Sequence, residues 1–172
     1  DLETIWGVGK AKGKRLPLVQ VPTTAGTGSE ATGVSVITVG GTVKNAVNSP
    51  PLTADWAVLD PALTIGLPRE VTAATGIDAM VHAIEAYTSA RLKNPMSDML
   101  AREALKLLSA HLLRGCEQPG DLDAREKMLL GAHLAGVVFA NAPVAGVHAL
   151  AYPLGVHFHV PHALSNALML AH

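Results

Sequence analysis

The hydrophobic pattern of this 172-residue chain changes abruptly near residue 65. Before that point, short runs of Val, Ile and Leu lie between clusters of Gly, Pro, Asn and Thr, which is typical of short strands joined by tight turns. After it, apolar residues recur at the spacing of three to four that marks amphipathic helices. The sequence therefore predicts two units, a strand-rich one at residues 1–64 and an all-helical one at residues 65–172.

Caps and breakers predict where the individual elements begin and end. Pro68 begins a helix, the pair Asn94-Pro95 supplies an N-cap and a first-turn proline for a second, and Asp121 or Asp123 begins a third. We expect strands at residues 18–21, 34–39 and 56–59, and helices that end near residues 89, 115, 141–143 and 152, the fourth of them starting at residue 144.

Two residues on the first predicted helix are candidate metal ligands. Asp78 and His82 are four positions apart, so their side chains lie on one face of a helix, one turn from each other. The neighbours of Asp78 are small or apolar, and a charge buried among them needs a partner. A cation is one such partner, and Glu85 on the same side could orient a ligand. An Asp/His pair at this spacing is also common as a surface hydrogen bond, and the spacing alone leaves both interpretations open.

Two histidines near the end of the chain can join the same site only if the helix between them is broken. His148 and His162 are 14 positions apart, which corresponds to ~21 Å along one continuous helix. Pro153, Gly155 and Pro161 predict a break in between, with Pro161 at the start of a new helix. Mixed nitrogen and oxygen ligands without cysteine suit Fe²⁺, Zn²⁺, Co²⁺ or Mn²⁺, and this ligand set alone does not choose among them.

A turn rich in Thr and Gly follows the first long predicted strand. Residues 21–30 read VPTTAGTGSE and offer backbone N–H groups, hydroxyls and two glycines that permit close approach of a ligand. Such a turn suits a pyrophosphate or a nicotinamide carboxamide, and Lys44 could lie over a phosphate or ribose. The pattern matches neither common nucleotide-binding motif, and similar clusters also form ordinary loops.

Composition excludes several classes of function. The formal net charge of −1 provides no basic stripe, so we expect no nucleic-acid partner. The single cysteine, Cys116, excludes an internal disulfide framework. No apolar run reaches the ~20 residues of a membrane span, and the first residues are not a signal peptide. We therefore expect a cytoplasmic protein without a membrane partner, of which this chain, lacking a start methionine and a final C-cap, is an excerpt.

Three segments in order resemble the iron-dependent (group III) alcohol dehydrogenase family. They are VPTTAGTGSE at residues 21–30, TGIDAMVHAIEAYTS at residues 75–89, and HALAYPLG at residues 148–155 with Pro161-His162. The resemblance implies an oxidoreductase that transfers hydride between a primary or secondary alcohol or aldehyde and NAD or NADP. It also implies metal ligands (Asp78, His82, His148 and His162), an ion that is Fe²⁺ or in some members Zn²⁺, and cofactor contacts (Thr23, Thr24, Thr27 and Lys44).

The same resemblance implies a dehydroquinate synthase-like architecture truncated at both ends. An α/β nucleotide-binding domain precedes an all-α metal-binding domain in the family, and the active site lies in the cleft between them. Residues 1–64 would be the C-terminal part of the α/β NAD(P)-binding domain. Residues 65–172 would be an incomplete helical metal-binding domain.

The chain departs from the family pattern at three positions. Tyr152 stands where the family usually has a histidine that is a candidate for proton transfer, and phenols in peptides titrate near pH ~10. Ala163 and Val156 replace common glycines, which narrows the expected pocket. We name Tyr152 and His159 as candidate catalytic residues, with His157 as an alternative proton relay.

Two other interpretations remain open from the sequence. One is a zinc-dependent glycerol dehydrogenase or a dehydroquinate synthase-like enzyme, which shares the broad fold but matches the motifs less closely. The other is a truncated, non-catalytic metal-binding fragment, for which cofactor binding is the discriminating property. Exposed apolar faces also lead us to expect association of copies into a homo-oligomer.

Overall fold

A computed structural model of the chain describes residues 2–39, 43–143 and 145–170. Short strands and turns occupy the first 60 of these positions, and helices follow. The five α-helices are α1 (Arg69–Thr88), α2 (Pro95–Glu117), α3 (Leu122–Asn141), α4 (Gly146–Phe158) and α5 (His162–Leu170).

The strand-rich part forms two small sheets. One sheet has the order β1 (Gly7–Val8), β4 (Val43–Asn48) and β3 (Val34–Val39), in which β1 and β4 are parallel and β3 and β4 antiparallel. The other pairs β2 (Val19–Gln20) with β5 (Trp56–Ala57) in parallel. The strand β4 was not predicted from the sequence, because its two asparagines lower the β-propensity of a six-residue segment.

The first three helices begin and end close to the predicted positions, and side-chain caps fix the starts of α2 and α3. The Asn94 side chain accepts hydrogen bonds from the backbone N–H groups of Met96 and Ser97, and Ser97 returns a bond to Asn94, which completes a capping box. The Asp121 side chain accepts from the N–H of Ala124 at the start of α3. The sequence left open whether Asp121 or Asp123 begins this helix, and in the structure the N-cap is Asp121.

Close packing of α1, α2 and α3 forms the main core. Its buried residues are mostly alanines, with Leu108, Met128 and Leu129 filling the space between them. Small residues let the helix axes approach: a Cβ built on Gly76 would lie 3.1 Å from the methyl carbon of Met128. This core holds α1, and with it Asp78 and His82, in a fixed position beneath the strand-rich part.

The fourth helix is longer than predicted. We expected it to end near residue 152, but α4 continues through Pro153 and Gly155 to Phe158. Proline removes one helical hydrogen bond, the bond to the carbonyl of Ala149, and Ala149 is exposed, so solvent can satisfy that carbonyl. The break lies instead at His159, in the left-handed conformation with φ 55°, followed by Pro161 and α5.

Several large apolar side chains of α4 and α5 are exposed, as the expectation of association requires. Leu150 is 64% exposed and Phe158 71%.

Within the described ranges, no single helix is both long and apolar enough to cross a membrane. Leu122–Asn141 and Gly146–Phe158 pass the test of length and composition only when they are taken together across a 104° bend.

Candidate metal centre

Three of the four predicted metal ligands meet at one point. The ligating atoms of Asp78, His148 and His162 all lie within 4.8 Å of one another. The Oδ1 atom of Asp78 is 3.9 Å from Nε2 of His148 and 3.9 Å from Nε2 of His162. The predicted break in the helix is therefore present as the turn between α4 and α5, and it places His162 beside His148.

The burial of Asp78 calls for a positive partner. Asp78 is 2% exposed, and no Lys or Arg among the described residues lies within ion-pair distance of it. His162, by contrast, has a side chain that is 45% exposed, so the cluster is open on one side. A buried carboxylate facing two imidazoles, with one side accessible, fits a divalent transition metal in its donor chemistry.

His148 is held in a defined orientation by Glu85. Nδ1 of His148 donates to Oε2 of Glu85 at 2.6 Å, and the other oxygen of Glu85 accepts from the backbone N–H of Val147 at 2.6 Å. Because a carboxylate only accepts, Nδ1 carries the proton and Nε2 keeps its lone pair for the cluster. The orienting role expected for Glu85 is thus visible in its hydrogen bonds.

His82 lies beside the cluster and does not join the set of three. Its ring stacks on that of His148, with centroids 4.9 Å apart, and on that of Phe139 at 5.1 Å. Burial, with the smaller effects of His148 and His162, lowers the pKa of His82 to about 4, against the opposing effect of Asp78. A neutral imidazole at pH 7 is the form that binds a metal. Its role as fourth ligand stays a prediction.

Asn166 is a member of the cluster that the sequence analysis missed. Its Nδ2 lies 2.6 Å from Oδ1 of Asp78, 3.1 Å from Nε2 of His148 and 3.3 Å from Nε2 of His162. The only signal in the sequence is its position one helical turn after His162. That spacing resembles the Asp78/His82 spacing, but neutral polar side chains are common on helices and the spacing alone does not identify this one.

A cavity of about 430 Å³ connects the cluster to the Thr/Gly turn. Asp78, His82, His148 and His162 form one part of its wall. Thr27 and Ser29 of the turn form another, and the apolar part includes Val34, Val36 and Phe139. The two features that the sequence analysis identified separately therefore face one space. Another cavity, about 500 Å³ and lined mainly by apolar groups of α1 and α2, lies away from these residues.

Close backbone contact fixes the turn on α3. Gly28 has φ +57°, and a Cβ built on it would lie 2.6 Å from Cα of Gly136. Only glycines at both positions permit this approach. Thr27 is exposed and lines the cavity, whereas Thr23 is exposed, Thr24 is half-buried, and neither lines it. The side chain of Lys44 lies outside the described part of the structure.

The two candidate catalytic residues lie in different places. Tyr152 is 48% exposed and lines the cavity, and its ring centroid is 6.1 Å from that of His162. His159 is exposed at the end of α4 and does not line this cavity. His157 is likewise exposed on the outer part of α4. The position of Tyr152 supports its predicted role more than the position of His159 does.

A second contact between the turn and α3 joins a partly buried histidine to a buried glutamate. Nδ1 of His133 lies 3.0 Å from Oε1 of Glu30, which is 5% exposed. The sequence analysis did not single out His133. His111, by contrast, bonds through Nδ1 to the Leu107 carbonyl of its own helix.

Comparison with known families divides the chain into two matched parts. Residues 1–61 match a family described as "Iron-containing alcohol dehydrogenase". Residues 72–172 match "Fe-containing alcohol dehydrogenase family, C-terminal". The second match begins three residues after the start of α1 and includes all the residues of the cluster.

Curated relatives extend well beyond the chain. Long-chain-alcohol dehydrogenase 1 of Geobacillus thermodenitrificans is 48% identical over 99% of this chain and 42% of its own length. 1,3-propanediol dehydrogenase of Klebsiella pneumoniae is 42% identical over 91% of this chain and 40% of its own length. The chain thus spans about two-fifths of the length of these relatives.

Solved structures share the fold along nearly the whole chain. A 1,3-propanediol oxidoreductase superimposes with a TM-score of 0.94 at 39% identity, covering 99% of this chain and 44% of its own. An iron-containing alcohol dehydrogenase from Thermotoga maritima gives 0.83 at 39% identity, covering 92% and 43%. A sulfoacetaldehyde reductase from Bifidobacterium kashiwanohense, solved in complex with NAD⁺, gives 0.88 at 37% identity, covering 91% and 42%.

Proposed function

Because the chain belongs to the iron-containing alcohol dehydrogenase family, we propose that its protein is a metal-dependent oxidoreductase that transfers hydride between a primary or secondary alcohol or aldehyde and NAD or NADP. The observation that carries the proposal is the convergence of Asp78, His148 and His162 within 4.8 Å, on the wall of a cavity that also contains Thr27. A metal site and a candidate cofactor turn that face one cavity are what such a reaction needs.

The proposed ion is Fe²⁺, with Zn²⁺ as the alternative. Asp78, His82, His148 and His162 would hold it, and Glu85 would keep the lone pair of His148 directed at it. One carboxylate and three imidazoles suit both ions, so the donor set does not distinguish them. The family description, which names iron, favours Fe²⁺.

The proposed cofactor is NAD or NADP, held on this chain by the Thr/Gly turn. Thr27 and Ser29 present hydroxyls to the cavity, and the hydroxyl of Thr27 also accepts from the N–H of Ser29. Thr23, Thr24 and Lys44 remain proposed contacts, although the two threonines do not line the cavity. The related sulfoacetaldehyde reductase was solved in complex with NAD⁺. That complex supports the proposal of NAD for this chain.

Different residues of the chain have different proposed roles in the reaction. A divalent ion supplies Lewis-acid polarisation of an alcohol or carbonyl oxygen, and a nicotinamide accepts or donates the hydride. His162, on the open side of the cluster, leaves access for a substrate oxygen. Phe139 and Val34 shield the cavity from water on its apolar side. Tyr152, at the rim, can exchange a proton with solvent, a role we also propose for His159.

We propose that residues 1–64 complete an α/β nucleotide-binding domain and residues 65–172 begin a helical metal-binding domain, in a dehydroquinate synthase-like architecture. The longer relatives supply the length that such an architecture needs. The exposed apolar residues of α4 would be covered by the rest of the protein or by a second copy, in a cytoplasmic homo-oligomer.

The decisive experiment measures metal and cofactor binding on the full-length protein. Protein purified without chelator should contain close to one Fe or Zn per chain by mass spectrometry, and His162→Ala should lose it. The same wild-type preparation should quench or shift NADH or NADPH fluorescence and should oxidise a short-chain alcohol. Metal without cofactor binding would favour a non-catalytic metal-binding protein, and no metal in the wild type would refute the proposed centre.

A matched control separates ligand loss from misfolding. His111→Ala removes a histidine of similar helical setting whose Nδ1 bonds only within its own helix. This variant should retain metal and cofactor binding. Loss of metal in both histidine variants would point to unfolding and would remove the evidence for a specific role of His162.

A further inference from the structure

The single NH₂ group of Asn166 contacts one ligating atom of each of Asp78, His148 and His162. The residue is completely buried on α5, and its Nδ2 lies 2.6 Å from Oδ1 of Asp78. The same nitrogen is 3.1 Å from Nε2 of His148 and 3.3 Å from Nε2 of His162. An NH₂ group has two hydrogens, so three acceptors compete for two donors.

The contacts to the two imidazoles use the lone pairs that an ion would use, whereas Oδ1 of Asp78 has two lone pairs and can accept from Asn166 and bind an ion together. Nε2 of His148 is the acceptor nitrogen of its ring, because Nδ1 donates to Glu85. Oδ1 of Asp78 is the carboxylate oxygen that lies 3.9 Å from both imidazoles. The amide nitrogen of Asn166 cannot replace an ion as electron acceptor or serve it as a ligand, since it only donates hydrogens. A hydrogen bond and a coordinate bond to the same lone pair exclude each other.

We propose that the Asn166 carboxamide competes with the metal ion for His148 and His162, and that its NH₂ group must leave these two nitrogens for the ion to bind. This inference rests on the proposed metal centre and adds a determinant of its affinity. An ion bonds to nitrogen or oxygen at about 2.0–2.2 Å, which requires the lone pairs that the NH₂ group engages.

The oxygen of the carboxamide does not oppose such a movement. Oδ1 of Asn166 is buried, and the described residues offer it no hydrogen-bond partner. Rotation of the carboxamide therefore breaks no bond on the oxygen side.

A residue that competes with the ion and a residue that orients a ligand have opposite effects on the affinity for the metal. Hydrogen bonds from Asn166 to the two imidazoles stabilise the protein only while no ion is bound, because the ion needs the same lone pairs. Whatever stabilises only the metal-free protein lowers its affinity for the metal by the same free energy. Removing the Asn166 side chain should therefore tighten metal binding, whereas removing a ligand or an orienting group weakens it.

The test compares Asn166→Ala with wild type in the full-length protein. The dissociation constant for Zn²⁺ is measured by competition with a chromophoric chelator, and the melting temperature is measured with excess chelator and with saturating Zn²⁺. We expect binding to tighten by up to about tenfold, the equivalent of losing one hydrogen bond to an imidazole nitrogen. The melting temperature should fall in chelator and change little with Zn²⁺. Weaker binding, or an equal fall in both conditions, would overturn the proposal.

Asn166→Ser keeps the test valid if the alanine variant does not fold without metal. This variant is loaded with Zn²⁺ and mixed with excess chelator, and the release of metal should be slower than from wild type, because no carboxamide takes over the ligands as the ion leaves. Release at the wild-type rate or faster would contradict competition.

Ser165→Ala is the matched control. Ser165 is also completely buried on α5, but its hydroxyl bonds to the carbonyls of Val160 and Pro161. Its removal should lower the melting temperature equally in both conditions and leave the Zn²⁺ affinity unchanged. If wild type binds no metal, the proposed centre fails. If wild type binds and Asn166→Ala binds more weakly, only the competition fails.

Discussion

Glu85 and His148, 63 positions apart in the sequence, share a hydrogen bond of 2.6 Å between a carboxylate oxygen and Nδ1 of the ring. Both side chains are buried, and the second oxygen of Glu85 accepts from the backbone at Val147. Glu85 therefore fixes both the ring of His148 and the first turn of α4. The orientation of one proposed metal ligand therefore depends on a residue that is not itself a proposed ligand.

Glu85→Gln should lower the metal affinity about 10- to 100-fold, the usual effect of removing a carboxylate that orients a ligating histidine. The amide retains the size of the carboxylate, but it presents an NH₂ group to one of the two N–H donors and cannot accept from both. Chelator competition with Zn²⁺ measures the change. Glu103→Gln, on the exposed side of α2, is the control and should bind like wild type. An unchanged affinity in Glu85→Gln would show that the contact is structural only.

Gly136→Ala tests the close approach of the Thr/Gly turn to α3. Alanine normally stabilises the interior of a helix by about 1 kcal/mol relative to glycine. Here its Cβ would lie 2.8 Å from Cα of Gly28, so we expect overpacking to destabilise the protein by about 1–3 kcal/mol instead and to displace Thr27. Urea unfolding gives the stability, and NADH fluorescence titration the effect on the cofactor.

Gly155→Ala is the matched substitution for Gly136→Ala. Gly155 is also inside a helix, and a Cβ there would meet only the Val160 carbonyl at 3.6 Å, an ordinary contact. This variant should be as stable as wild type or slightly more stable. If the two variants behave alike, the approach of the turn to α3 is not held by packing.

Local signals in the sequence were sufficient to predict much of the fold. Asn94 and Asp121 cap their helices through bonds that span three residues, so the sequence around them contains all the necessary information. Pro153 misled the prediction of α4, because the effect of a proline depends on whether the carbonyl it leaves unpaired faces solvent. That exposure is a property of the folded chain and cannot be read from the sequence.

The cluster shows the same division between local and distant information. Asp78, His148 and His162 could be predicted from their chemistry and from the breakers between the two histidines. Asn166 could not, because its bond to Asp78 joins residues 88 positions apart. Neutral polar side chains are common on helices, and only the position of the Nδ2 atom identifies this one. A sequence pattern indicates candidate ligands more readily than the groups that compete with an ion for them.

Asp121 should contribute to stability in a way that depends on pH. Arg114 and then the N–H of Ala124 lower the pKa of Asp121 to about 2, below the ~3.9 of an unfolded chain. The stabilisation by its charge is therefore present above the unfolded value and is lost as pH falls through about 2. Asp121→Asn retains an N-cap but loses the charge. Its urea midpoint should fall below that of wild type by a constant amount from pH 5 to 8, and the gap should close below pH 4. A gap independent of pH would exclude the ion pair as its cause.

His133 and Glu30 should be energetically coupled across the contact between the turn and α3. His133→Ala leaves the carboxylate of Glu30 buried with no partner, because Oε2 of Glu30 already has none among the described residues. We expect this variant to lose about 1–3 kcal/mol of unfolding free energy.

The double variant Glu30→Ala/His133→Ala removes the unpaired charge together with its partner. It should be less destabilised than the sum of the two single variants, by about 0.5–3 kcal/mol of coupling. Urea unfolding of all four proteins completes the cycle. Strict additivity would mean that the pair does not interact in solution. A measured coupling, together with weaker NADH binding in His133→Ala, would show that α3 positions the turn through this pair as well as through Gly136.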